Sequence, residues 1–292
     1  MLNEFLEGHP SYLSDHNINN TMGIIISSDK KKEMLKFLES NMGKLSQREM
    51  ARKLGIGKTA VNRWCVDEFG FHPIKHIVNE EFFDNPNEES SYILGFIFAD
   101  GNVTWNPSRS YWSLTITASS KDKAHLEKIR GLMGSTKPLL YSKNTNSYRL
   151  IVASKILCRK LIDLGVVPRK SMIVRFPENI TRSDHVRHFI RGIIDGDGTV
   201  RYVNRRRSPY FEISICSGSE RFLKKLSKVI FNHIGVKSRC RRIHSNTFGL
   251  QFSCTRGKCL AHWIYKDSRI YLKRKFANFS NNLNKMEVQE NI

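Results

Sequence analysis

The protein has 292 residues, of which 40% are hydrophobic, and it carries a formal net charge of +21. This apolar content is enough for a folded core and argues against a disordered basic tail. No apolar run approaches the roughly 18 residues of a membrane span, so we expect a soluble protein. The six cysteines form no C-x-x-C pair, which is typical of free thiols in a reducing compartment. A folded and strongly basic chain indicates a polyanionic partner, with nucleic acid as the first candidate.

The positive charge lies mainly in the C-terminal two thirds of the chain. Residues 1–100 hold 11 basic and 15 acidic side chains, whereas residues 101–292 hold 37 basic and 12 acidic ones. A surface that only keeps a protein in solution usually mixes both signs. We therefore expect the lysine and arginine side chains of this region to neutralise phosphates.

A helix-turn-helix pattern occurs in residues 29–69, after a tail of residues 1–28 in which we recognise no pattern. Ala51, Gly55 and Val61 have the helix-turn-helix spacing, in which a small residue lets two helices cross and glycine allows the turn. The alternative is an ordinary helical hairpin. The side chains expected at the exposed start of the recognition helix, where they would contact DNA, are Lys58, Thr59, Asn62 and Arg63.

The rest of the chain contains an internal duplication, which follows a linker at residues 70–86. The segment SYILGFIFADGNV, residues 91–103, matches HFIRGIIDGDGTV, residues 188–200. Each segment is predicted to be a helix. The residues after each segment are predicted to form two strands with alternating hydrophobicity, a helix, a hairpin and a last helix. This αββαββα order predicts an α+β fold with antiparallel strands and two repeats related by a pseudo-twofold axis. The expected domains are, in order, residues 87–180, residues 181–285 and a tail of residues 286–292.

Both matching segments are predicted to be helices that end at an Asp-Gly pair. Asn87 or Ser90 would cap the first helix, and Ser183 would cap the second. Small residues four positions apart form a stripe on each helix, which lets the two helix backbones approach closely. The stripe residues are Gly95 and Ala99 in the first helix and Gly192 and Gly196 in the second.

Asp100 and Asp197 end the two predicted helices, where the helix dipole disfavours an anion. Close packing of the helices would also bring the two carboxylates together, which disfavours both charges. Bound divalent cations relieve both penalties, and carboxylates that hold Mg²⁺ against a phosphodiester are a recurrent hydrolytic arrangement. The sequence therefore predicts a site for Mg²⁺, with Mn²⁺ as an alternative. A buried helix pair without such a site leaves the two aspartates unexplained.

The two segments resemble the LAGLIDADG motifs of homing endonucleases, in the single-chain form with two motifs. The similarity spans roughly residues 85–285 and includes both motifs, their spacing and the order of elements between them. It implies a central pair of motif helices and two saddle-shaped antiparallel sheets. It also implies a monomer that cleaves double-stranded DNA at a long, roughly pseudo-palindromic site. The implied location is the cytoplasm of a bacterial or phage host, with an organelle as the alternative.

The resemblance also implies roles for particular residues of this sequence. A lysine near the end of each repeat, Lys170 or Lys275, would stabilise charge at the scissile phosphate, or would only contact phosphate or lie on a solvated helix face. Arg191 replaces a small residue of the motif and is expected to face outward or to pair with a carboxylate. Asp195 is expected to be structural. The implied residues of the catalytic metal site are Asp100, Asp197, Ala99 and Gly196.

Strand alternation predicts which side chains face DNA, because neighbouring residues of a strand point to opposite faces of the sheet. One face would cover the helices, and the other would enter the major groove as an antiparallel ribbon. The alternative is a polar sheet face exposed to solvent. The residues expected to face the helices are Val103, Leu114, Ile116, Leu150, Val152, Ile213, Ile215, Leu250 and Phe252. The residues expected to face DNA are Asn102, Thr104, Asn106, Ser113, Thr115, Thr117, Arg149, Thr199, Arg201, Arg205, Glu212, Ser214, Arg239, Arg241 and Gln251.

Two functions remain open on the sequence. The first is a Mg²⁺-dependent, site-specific DNA endonuclease that serves intron homing or is encoded by an independent gene. The second is a binding protein of the same fold, either a transcription regulator or an RNA-splicing maturase with intron RNA as its partner. The presence of both aspartates argues against a purely regulatory protein, whereas a maturase role can coexist with cleavage.

Overall fold

The computed structural model describes residues 26–42, 44–70, 76–107, 111–168, 172–181, 185–204 and 210–287. The chain divides into two compact units, one that ends at residue 75 and one that begins at residue 76. Within the described ranges, no helix is both long enough and apolar enough to cross a membrane.

In its described residues, the first unit contains three helices, with the turn that the sequence predicts between the second and the third. They are α1 (Ser28–Asn41), α2 (Gln47–Leu54) and α3 (Lys58–Phe69). A capping box between Ser46 and Glu49 begins α2. Gly55 ends α2 in the left-handed region, with φ of 66°, where glycine has no steric penalty. Ala51 and Val61 are buried between the helices, as their positions in the pattern predict.

The second unit contains two successive αββαββα repeats, in agreement with the predicted order. The first comprises α4 (Glu88–Asp100), β1 (Gly101–Asn106), β2 (Tyr111–Ser119), α5 (Lys123–Leu132), β3 (Leu140–Ser142), β4 (Ser147–Val152) and α6 (Lys155–Asp163). The short helix α7 (Glu178–Thr181) precedes the second repeat. That repeat comprises α8 (Val186–Asp197), β5 (Gly198–Val203), β6 (Tyr210–Ser217), α9 (Glu220–Ile234), β7 (Arg241–His244), β8 (Thr247–Ser253) and α10 (Thr255–Tyr265), and it is followed by α11 (Lys273–Glu287).

The two antiparallel sheets have the same topology. Their strand orders are β1-β2-β4-β3 and β5-β6-β8-β7. Directly opposite residues share a face, so the pairing of Val103 with Leu114 and of Val200 with Ile213 defines the inner face of each sheet. All nine residues predicted to face the helices are buried, with exposed fractions of 3% or less. The predicted face assignment is therefore correct for the inner side of both sheets.

The motif helices α4 and α8 pack against each other with almost no space between their backbones. A Cβ atom on Gly95 would lie 2.0 Å from the carbonyl oxygen of Phe189, and one on Gly192 would lie 2.1 Å from that of Tyr92. Neither position can hold a side chain unless the helices move apart. Asn87 caps α4 through a capping box with Ser90, so both predicted caps take part. The predicted cap Ser183 lies outside the described residues.

Replacement of Gly192 by alanine is expected to destabilise the protein. The added methyl group would meet the backbone of α4, and overpacking of this kind costs about 1–3 kcal/mol, occasionally more. We expect Gly192→Ala to lower the free energy of unfolding in urea by at least about 2 kcal/mol.

The matched control is Gly131→Ala on α5, where an added Cβ meets nothing within 4 Å. Alanine is the better helix former, by about 1 kcal/mol at exposed helix positions. Gly131→Ala should therefore leave stability unchanged or raise it. A Gly192→Ala protein as stable as the wild type would contradict the close backbone contact.

Candidate active site

The two predicted metal-binding aspartates occupy matching positions in the fold. Asp100 is the last residue of α4 and Asp197 the last residue of α8, and each is followed by a glycine that begins a strand. An added Cβ on Gly198 would lie 2.6 Å from the carbonyl oxygen of Ile194. This contact explains why the chain needs glycine directly after the aspartate, where it folds back over the last helical turn. Asp100 is half-buried, and Asp197 is exposed.

The ends of the two motif helices lie close together. An added Cβ on Gly196 would lie 2.3 Å from the Cβ of Ala99 and 3.2 Å from the Oδ2 of Asp100. The small-residue stripes therefore continue to the helix ends, as predicted. Burial lowers the pKa of the Lys275 ammonium, and the negative charges of both carboxylates oppose that shift. The geometry thus brings Asp100 against the helical turn that carries Asp197.

Lys275 is buried beneath this helix end, with an exposed fraction of 4%. Its Nζ donates hydrogen bonds to four backbone carbonyl oxygens: Ile194 at 2.8 Å, Asp195 at 2.7 Å, Gly196 at 3.1 Å and Gly198 at 2.5 Å. The last carbonyls of a helix have no partner within the helix and carry partial negative charge. Lys275 therefore binds the negative end of α8. This position differs from the phosphate-facing one considered above, and Lys170, the other predicted lysine, lies outside the described residues.

Asp195 has the structural environment expected for it. Its exposed fraction is 1%, and its carboxylate accepts hydrogen bonds from the hydroxyls of Tyr92 and Tyr265, each at 2.9 Å, and from the backbone N–H of Leu272 at 2.7 Å. Burial raises the pKa of Asp195, and these three donors oppose the rise. Asp195 thus joins α8 to α4, α10 and the segment that leads into α11.

Of the two alternatives expected for Arg191, the structure has the second. The side chain pairs with a carboxylate and does not face outward. Its side chain is fully buried, and Nη2 donates to Glu88 Oε1 at 2.7 Å. Nε donates to the carbonyl of Ile270 at 2.8 Å, and Nη1 to that of Ile264 at 2.7 Å. A buried guanidinium needs such partners for its donors. Neither Glu88 nor the two carbonyls could be identified as partners from the sequence, because they lie 73 to 103 positions away.

A cavity of about 640 Å³ opens beside Asp100. Thr117 and Arg149, two predicted DNA-contacting residues that face each other across β2 and β4, line it. Arg274 also lines it, and its Nε donates to both carboxylate oxygens of Asp122, at 3.1 and 3.2 Å. Arg274 was not predicted from the sequence, since a basic residue next to Lys275 carries no signal that it contacts Asp122 of the first repeat.

Most of the residues predicted to face DNA lie on the outer faces of the two sheets, whereas Arg239 precedes β7, and two members of the set are buried. Ser113 has an exposed fraction of 8% and Glu212 one of 2%. Arg205 lies outside the described residues. Asn106, Thr115 and Ser214 are half-buried. The exposed members are Asn102, Thr104, Thr117, Arg149, Thr199, Arg201, Arg239, Arg241 and Gln251.

In the first unit, the predicted recognition residues lie on α3. Lys58, Thr59 and Arg63 are exposed, and Asn62 is half-buried. The Oδ1 of Asn62 accepts a hydrogen bond from Gln47 Nε2 at 3.1 Å. This contact joins the starts of α2 and α3 and fixes the Asn62 amide.

Comparison with known proteins identifies similar sequences and folds. Residues 184–266 match the family model of the LAGLIDADG-like domain. Over these residues, the resemblance to the LAGLIDADG family is confirmed. The matched range begins just before α8 and ends just after α10, so it covers most of the second repeat.

Two relatives place the LAGLIDADG match in context. MJ0398, an uncharacterised protein of Methanocaldococcus jannaschii, is 26% identical over 196 residues, which cover 65% of this chain and 66% of that protein. The LAGLIDADG meganuclease I-AabMI bound to uncleaved DNA has a TM-score of 0.51 and 13% identity over 70% of this chain and 92% of that chain. This similarity confirms the α+β fold with two antiparallel sheets.

A second solved structure, of I-DmoI in complex with DNA and Ca, has a TM-score of 0.46 and 19% identity over 63% of this chain and 92% of that chain.

Lys275, beneath the second LAGLIDADG helix, is expected to make stability depend on alkaline pH. Burial lowers the pKa of its ammonium from 10.5 to about 8 in the folded chain. Between these pH values the unfolded chain holds a proton that the folded chain has released, so the free energy of unfolding rises with pH. The contribution of Lys275 across this window is about 3 kcal/mol. It is measured as the difference between the wild type and Lys275→Met in urea unfolding.

The control for this measurement is Lys273→Met, which removes an exposed lysine at the start of the same helix. Its difference from the wild type should stay constant between pH 8 and 10.5. If the difference between wild type and Lys275→Met is equally constant, the lysine does not titrate in this window and the prediction is wrong.

Proposed function

We propose that the protein is a site-specific DNA endonuclease that hydrolyses one phosphodiester bond in each strand of a duplex. The observation that carries this proposal is the meeting of two matching helix ends, where Gly196, next to Asp197, lies against Ala99 and Asp100. The exposed polar faces of two antiparallel sheets support it, since such ribbons fit the major groove. We propose that one chain acts as a monomer on a long, roughly pseudo-palindromic site, because it carries both halves of the site.

We propose Mg²⁺ as the resident cation, with Mn²⁺ as a substitute. Carboxylate oxygens suit these ions, so Asp100 and Asp197 fit as ligands. Among the described residues, no group of three or more His, Cys, Asp or Glu side chains is arranged so that it could hold a metal ion. Water and DNA phosphate would therefore complete the coordination, as is usual for Mg²⁺. Because the carbonyl of Gly196 accepts from Lys275, we assign the cation chiefly to the two carboxylates. When bound, it would stabilise negative charge on the phosphodiester as a Lewis acid.

The side chains around the aspartates have distinct proposed roles. The carboxylates of Asp100 and Asp197 would hold the cation beside the two DNA strands. Lys275 positions the end of α8 through its four carbonyl contacts and thereby orients Asp197. Arg149 and Arg274 line the cavity beside Asp100 and would bind a backbone phosphate there. Asp122 keeps the guanidinium of Arg274 directed toward that cavity.

Loss of either aspartate is expected to abolish cleavage and to spare binding. Asp100→Asn and Asp197→Asn keep the side-chain shape but remove the charge that holds a cation. We expect the cleavage rate of each variant to fall by about 100-fold or more, while its affinity for a target duplex changes by less than about threefold. Gel shift and Mg²⁺-initiated cleavage of a selected duplex measure the two quantities separately.

The control is Asp163→Asn, which removes an exposed carboxylate at the end of α6 and should cleave like the wild type. An aspartate variant that still cuts at the wild-type rate would refute the assignment. If the wild type binds duplexes but cuts none with Mg²⁺ or Mn²⁺, the same fold serves as a transcription regulator or an RNA-splicing maturase instead.

We also propose that the helix-turn-helix contributes to binding through the start of α3. Arg63→Ala removes an exposed guanidinium there, and loss of a base-contacting arginine costs about tenfold in affinity. The control Lys36→Ala removes an exposed positive charge from α1 and should change affinity by less than about twofold. Fluorescence anisotropy with one labelled duplex compares the three proteins. Equal losses in both variants would mean that only the net charge of this unit matters.

A further inference from the structure

A buried carboxylate lies on the outer face of the second sheet, among side chains that are exposed or basic. Glu212 pairs with Arg201 across β5 and β6 and with Ser253 across β6 and β8. These residues therefore share the face opposite the buried Ile213 and Phe252. The exposed fraction of Glu212 is 2%, whereas that of the Arg201 side chain is 57%. Glu212 lies beneath its neighbours and cannot itself reach a base edge.

Glu212 fixes one edge of the Arg201 guanidinium. Its Oε1 accepts from Arg201 Nε at 2.9 Å and from Nη2 at 2.6 Å. Within the described residues, these are the hydrogen bonds of the Arg201 side chain, so both N–H groups of Nη1 and the second one of Nη2 point away from Glu212. Two parallel N–H donors on a guanidinium match the O6 and N7 acceptors of guanine. The contact with Glu212 thus leaves the other edge of the Arg201 guanidinium available to read guanine.

The same carboxylate fixes the amide of Gln251. Gln251 Nε2 donates to Glu212 Oε2 and, at 3.3 Å, to the hydroxyl of Ser253. A carboxylate can only accept from this neighbour, so the amide must direct its NH₂ group toward Glu212. In the described part of the chain, the side-chain oxygen of Gln251 accepts no hydrogen bond. Gln251 therefore offers an acceptor to the groove, which suits the exocyclic amine of adenine or cytosine.

We propose that Glu212 is a positioning residue that sets base recognition by the second repeat. It directs Arg201 to a guanine and makes Gln251 an acceptor for a neighbouring base that carries an exocyclic amine. This inference rests on the proposed DNA recognition and adds which bases one half of the site should contain.

The first sheet lacks this arrangement, which makes the two halves of the site unequal. Thr104 follows Asp100 by four positions, as Arg201 follows Asp197, and it pairs with Ser113 as Arg201 pairs with Glu212. Ile151 pairs with Thr115 in the place where Gln251 pairs with Ser214. None of these first-sheet residues carries a charge. The guanine preference should therefore occur in one half-site only.

The test is selection of bound duplexes from a random library by the full chain, followed by sequencing. We expect the wild type to enrich guanine at one position of one half-site. Arg201→Lys keeps the charge but loses the paired donors, so the preference for that guanine should fall by roughly tenfold or more. Glu212→Gln should weaken the same preference. It also lets the Gln251 amide turn, because two NH₂ groups repel each other, and the neighbouring base should change to one that presents an acceptor.

The matched control is Glu178→Gln, which neutralises an exposed acid paired with Lys225 away from the sheet and should select the wild-type site. Preferences in the other half-site report that each variant is folded. Unchanged guanine preference in Glu212→Gln or in Arg201→Lys would overturn the inference while leaving the endonuclease proposal intact. A wild type that enriches no sequence and cuts no duplex would instead refute the proposed function, and the inference with it.

Discussion

The contact between two helix backbones is the constraint from which the rest of the site follows. Gly95 and Gly192 let α4 and α8 approach until each meets the carbonyl of the other helix. Both helices end at an aspartate, so the same contact that forms the core also brings Asp100 and the turn before Asp197 together. The proposed site and the tightest core contact therefore share the interface between α4 and α8. A larger residue in the stripe would therefore disturb stability and site geometry at once.

That arrangement directs the carboxyl ends of two helices, and two aspartates, toward one place, and the charge must be balanced. In the second repeat the Lys275 ammonium supplies part of the balance from inside the protein, through four carbonyls at the end of α8. The ammonium binds the backbone, and Asp197 is exposed. The proposed divalent cation would bind the two carboxylates from outside, so it would not compete with the buried ammonium for the backbone carbonyls.

Alternation and repetition in the sequence predicted the architecture well, whereas the partners of charged groups could not be predicted. The nine inner-face residues, the order of elements along each repeat and the crossing glycines all follow from local periodicity, which backbone geometry enforces. Arg191, Lys275 and Glu212 were misjudged in exposure because their partners come from distant elements. Period-two reasoning assigned Glu212 to the outer face correctly. It could not show that Arg201 and Gln251 cover it, because that depends on which residues lie opposite one another in the sheet register.

The two repeats share a fold but differ where polar chemistry matters, and the differences are correlated. Two positions before the motif aspartate, the first repeat has Phe98 and the second has Asp195, which accepts hydrogen bonds from the buried hydroxyls of Tyr92 and Tyr265. The outer sheet face of the same repeat carries the Glu212 cluster. The second repeat therefore holds its helix end through the ammonium of Lys275 and the guanidinium of Arg201 through the buried carboxylate of Glu212. In the first repeat, the ring of Phe98 packs edge-on against that of Phe189. The two repeats therefore keep one backbone topology, while the side chains near the helix end and on the outer sheet face differ in chemistry between them.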